Sequence, residues 1–181
     1  MSFSSRPRLT LIHLYNNGVT LVATPWMPET FNPDLFVAKW YCREVWTEDM
    51  PGFAAEALEA GYDGLALRRL AGLIKPNSMD VGDLFQRALL EIGTVKILSQ
   101  QEAVFFLSRM VATDIVEGRI DPQRGAGILA GYAAMLYYPP ILNRFSQLGE
   151  MAFWGEYVSS DPKLVHEIMV EAHQLLASLP I

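Results

Sequence analysis

At 181 residues, 51% of them hydrophobic and 19% charged, the chain is long enough to bury one sizeable core and too apolar to be disordered. The net charge of −6, with no basic stripe, argues against nucleic-acid binding, because phosphates require clustered Lys and Arg. A single cysteine, Cys42, excludes an internal disulfide framework.

Residues 9–15 and 19–24 are rich in β-branched and aromatic side chains, and Asn16-Asn17-Gly18 between them suits a type I′ turn. An N-terminal β-hairpin is expected there, with a short helix ending at the asparagines as the competing reading. Residues 9–28 carry no charge, but His13, Asn16, Asn17 and Gly18 interrupt a run that would need about 20 mostly apolar residues to span a bilayer. The apolar run after Arg6 and Arg8 is too short for a signal peptide and lacks a cleavage site. The expectation is a cytoplasmic protein without a membrane segment. Trp26, Met27 and Phe31 are expected to lay the following loop onto the core, and Pro25, Pro28 and Pro33 keep it irregular.

Residues 33–181 read as the helical body of a single domain, with residues 1–32 as its hairpin and loop segment. A helix is expected over 34–47, where Leu35, Phe36, Val37, Trp40 and Tyr41 spread around the circumference. These aromatics are core, or they line a ligand pocket with Trp40 as a candidate binding residue. Cys42 has no Cys-x-x-Cys partner and no histidine nearby in sequence, so it reads as a small buried hydrophobe despite the adjacent Arg43. Helices follow over 51–60, stopped by Gly61, and over 65–74 after an Asp63-Gly64 turn. Lys75-Pro76-Asn77-Ser78 breaks the pattern before a helix over 79–92 with Leu84, Phe85, Ala88 and Leu89 inward. Two helices around a short turn suggest a helix-turn-helix DNA reader, but Asp80 and Asp83 would repel phosphates.

After an extended piece at 94–98, Ser99 and Glu102 form a capping-box start for a helix with Val104, Leu107, Val111 and Ile115 on one face. Gly118 is its natural stop. Asp121 then offers an acceptor to the next helix, and Pro122 sits where a missing N–H is harmless. Asp114 falls on the flank of the apolar face, where a carboxylate needs a partner or a raised pKa. Arg119 or Arg124 is the natural partner; the alternative is a polar group at the rim of a pocket.

The next helix, over 122–138, holds Gly125, Gly127 and Gly131 among several alanines. Glycine costs about 1 kcal/mol against alanine inside a helix, so these need a reason. Gly127 and Gly131, four apart and therefore on one face, are expected at a close helix packing, a dimer seam or a small-ligand slot. If that face is packed, Gly127→Leu or Gly131→Leu should destabilise the fold. Pro139-Pro140 ends the helix.

A short helix is expected over 141–151, followed by an aromatic clasp of Phe153, Trp154 and Tyr157, with Trp154 a second candidate for ligand binding. Asp161-Pro162 repeats the capping signature before a last helix over 163–178. His166 and His173 are seven apart, about 10 Å along that helix at ~1.5 Å per residue, so one ion is not held by both and no metal site is expected. From Phe145 onward the single base Lys163 faces five carboxylates, an acidic end to the chain.

The run Ile115-Val116-Glu117-Gly118-Arg119-Ile120-Asp121-Pro122 with Gly125, joined by Asp161, Val170-Glu171-Ala172 and Leu175-Leu176, resembles a group of small, uncharacterised bacterial helical proteins. The likeness covers roughly the C-terminal half. It implies a bacterial, mostly helical protein and carries no activity and no site residues.

The expected fold class is therefore mainly α, a compact multi-helix single domain with the N-terminal hairpin as its one departure. No nucleophile elbow, phosphate loop, Cys/His cluster or dinucleotide fingerprint is present in the sequence, and no cofactor is implied. The leading functional expectation is a non-enzymatic interaction protein of the immunity or antitoxin-partner type, binding another protein through its acidic face or itself as a homodimer. A small-molecule-binding protein with an aromatic pocket near Trp40 or Trp154 is the alternative. An enzyme of unrecognised class is the third.

Overall fold

A computed structural model describes residues 31–93, 99–155 and 161–179. Eight α-helices lie among them: α1 Pro33–Tyr41, α2 Met50–Glu59, α3 Leu65–Ala71, α4 Ser78–Ile92, α5 Gln100–Val116, α6 Pro122–Met135, α7 Pro140–Gly155 and α8 Pro162–Ser178. A 3-10 turn at Thr47–Asp49 leads into α2. The fold is mainly α, with no strand among the described residues. The hairpin expected over 9–24 and the extended piece expected over 94–98 lie outside them.

Local chemistry sets the starts of α1, α5, α6 and α8. The Asn32 side chain accepts from Leu35 N at 3.1 Å, Asp121 from Arg124 N at 3.0 Å and Asp161 from Lys163 N at 2.9 Å. Each is followed by a proline at the first helical position. Ser99 accepts from Glu102 N at 3.2 Å and donates to the Glu102 carboxylate at 2.9 Å, as its capping-box spacing predicts.

The start of α3 is different. It has no side-chain cap of its own. Instead Glu91, at the far end of α4, accepts from Ala66 N and Leu67 N, both at 3.0 Å. Those backbone donors, Ala66 foremost, hold the Glu91 carboxyl below the usual glutamate range. A Cβ at Gly64 would overlap the Glu91 carboxyl, so glycine there keeps the approach open.

Among the described residues, four helices end in the same six-residue Schellman motif, in which the amide two beyond the cap returns to a carbonyl five residues back. Two use glycine, Gly61 at φ 95° and Gly118 at φ 71°, with Tyr62 N donating to Ala57 O and Arg119 N to Asp114 O. The other two do not. Arg43 at φ 59° closes α1 through Glu44 N to Lys39 O, and Tyr137 at φ 55° closes α6 through Tyr138 N to Ala133 O. These closures stop α1 at Tyr41 rather than near 47, and α6 at Met135 rather than near 138. Helix α3 ends at Ala71, before Gly72, and α7 extends four residues past the expected end at 151.

One continuous cluster of buried side chains takes residues from all eight helices. Helix α5 packs on α1, α6 and α8, while α6 and α7 fold onto each other as the tightest pair. The reason is Gly149. A Cβ there would lie 2.6 Å from the Ala130 methyl and 3.0 Å from the Ala126 carbonyl oxygen, so the two backbones meet across Ala126, Ala130 and Gly149. Phe36 stacks on Phe53 at 4.2 Å, and Phe85 meets Phe53 and Trp40 edge-on at 5.6 and 5.1 Å. These rings tie α1, α2 and α4 together. Residues 125–143 also carry no charge, but they are divided between α6 and α7, and no described helix is long and apolar enough to cross a membrane.

Candidate functional site

The turn after α1 carries three unlike neighbours: buried Cys42, left-handed Arg43 and exposed Glu44. Burial first, and the Glu44 charge second, push the Cys42 thiol up to about 11, so it is a packed thiol rather than a nucleophile. Glu44 reaches across to α6, where Tyr132 Oη donates to its carboxylate at 2.6 Å. The Tyr132 ring is buried, and burial together with that bond holds its hydroxyl above the ordinary tyrosine range. This bridge joins residues 88 apart in sequence.

Large exposed side chains follow each of the two bridged residues in sequence. Trp46, two residues beyond Glu44, is 68% exposed. Its amide donates to the Asp49 carboxylate at 2.7 Å, while Asp49 N donates back to Trp46 O at 3.0 Å, which fixes the turn beneath the indole. Beyond Tyr132, at the end of α6, Tyr137 is 93% exposed and Tyr138 55%. Tyr138, like Tyr137, has positive φ, at 60°, and it precedes Pro139, which further disfavours helical backbone there. A left-handed L-residue costs about 1–2 kcal/mol. Backbone strain of this kind clusters at functional positions. Here its visible product is two tyrosine rings directed to solvent.

Of the residues singled out from sequence, Asp114 has the partner expected of it. Arg119 Nε donates to its carboxylate at 2.6 Å, and the same guanidinium pairs with Glu117. The Asp114 carbonyl also accepts from the amides of Arg119 and Ile120, so both ends of the residue hold the α5–α6 turn. Asp114 lies in a shallow depression of about 200 Å³ with Arg109, Met110, Thr113 and Arg119. Trp40 is elsewhere. Its ring packs on Tyr41 and Phe85 within the aromatic cluster, and it lines neither of the two described depressions. Trp154 belongs to the backbone of α7, but its side chain, and the clasp expected with Phe153 and Tyr157, lie outside the described residues. The structure therefore does not bring Trp40 and Asp114 to one site.

Close packing of Gly127 and Gly131 within the chain is not observed. Both are exposed, and a Cβ on either would meet nothing within 4 Å. The packed small residues are Ala126 and Ala130, each one position earlier, which is ~100° around the helix. Gly127 and Gly131 instead face solvent with Ala134 and Met135.

A second depression, about 310 Å³, is lined by Arg144, His166, Glu167, Val170 and Glu171, with Arg144 paired to Glu167 at 3.1 Å. His173 Nδ1 lies 2.8 Å from Met169 O, along its own helix. No group of three His, Cys, Asp or Glu among the described residues is placed to hold a metal ion.

Sequence reasoning missed Glu44, Trp46, Tyr132, Tyr137 and Tyr138. One signal was available: α6 reaches Pro139-Pro140 with no glycine to close it, so some other residue must take the left-handed position. No family model, no curated protein and no solved structure matches the chain.

Proposed function

We propose that the chain is a non-enzymatic protein–protein interaction module that engages its partner over the surface around the Glu44–Tyr132 bridge. The observation that carries this reading is the pair Tyr137 and Tyr138, both at positive φ and both held open to solvent. Trp, Tyr and Arg are the residue types enriched at interface hot spots, and Arg43, Trp46 and the two tyrosines stand within a few residues in sequence of the two partners of that hydrogen bond. A standard interface covers about 800 Å² on each partner, ample to include positions two and five residues from a bonded pair. The net charge of −6 favours a basic partner, because complementary charge speeds encounter and disfavours wrong partners. The kind of module proposed is of the immunity or antitoxin-partner type. Self-association is the variant in which the partner is a second copy.

The test is the native mass of the purified protein, by size exclusion with light scattering and mass spectrometry of what travels with it, repeated on Trp46→Ala, Tyr137→Ala and a control, Met79→Ala, at an exposed position of α4. A stoichiometric complex should lose at least about tenfold in affinity, ~1.4 kcal/mol, in the first two variants and none in the control. A complex that ignores Trp46 and Tyr137, or no complex at any concentration, overturns the reading.

A further inference from the structure

We draw no further inference here: the strongest candidate, the solvent-facing stripe of Gly127, Gly131 and Ala134 on α6, is an unpartnered small-residue face, and nothing in the structure shows what covers it.

Discussion

Tyr137 shows how one residue separates stability from use. Its left-handed backbone is forced by the closure of α6, and its ring touches solvent almost entirely. Glycine adopts that conformation without the Cβ penalty. Tyr137→Gly is therefore expected to raise stability by about 1 kcal/mol in chemical denaturation, while abolishing whatever contact the ring makes with a partner. Arg43→Gly at the matching position of α1 should stabilise by a similar amount. Stabilisation in one assay with loss in the other would be the signature of strain retained for binding. If Tyr137→Gly destabilises, the ring contributes to the fold and the display argument fails.

Two predictions belong to the helices. Gly127 sits inside α6 with open space around it, so Gly127→Ala should stabilise by about 1 kcal/mol through helix propensity alone. The expectation that Gly127→Leu disrupts the fold is reversed for the same reason. Gly149→Ala is the opposite case: its methyl would press on Ala130 and on the Ala126 carbonyl, and a loss of about 1–3 kcal/mol is expected from overpacking. Thermal melts of the two alanine variants should move in opposite directions. Helix α3 provides the pH test. Because Glu91 has a lowered folded-state pKa, its capping contribution is full above the ordinary glutamate range and is lost as pH falls through that lowered value. Glu91→Gln should thus be less stable than the parent at pH 7, by about 1 kcal/mol if it behaves as a lost cap, with the gap closing in acid. Equal denaturation midpoints at neutral pH would mean that the carboxylate does not hold α3.

At the scale of the whole molecule, Cys42 reports on the shared core. It is buried in the cluster to which all eight helices contribute, and its thiol is pushed up to about 11. A thiol-directed reagent at pH 8 should label it only as fast as the core opens, and at once in denaturant. Rapid labelling of the native protein would show that α1 detaches from the rest. Labelling that slows when a partner is added would place that partner's stabilising effect on the same core, without requiring that it touch the thiol.

What the sequence determined by itself is the set of features closed within a few residues. The starts of α1, α5, α6 and α8, the Gly118 turn and the pairing of Asp114 with Arg119 all depend on a side chain or a backbone amide finding a group at most six positions away. Short loops of that kind have one favourable geometry, so residue type and spacing suffice. The tertiary structure alone decided the rest. It selected Ala126 and Ala130 over Gly127 and Gly131, because a one-residue difference turns a helix face by ~100° and the neighbour sets the phase. It brought Glu91 to α3 and Glu44 to Tyr132 across 25 and 88 residues, and left Tyr137 and Tyr138 outside the packed core. Those contacts depend on where whole helices come to rest, which no local spacing encodes.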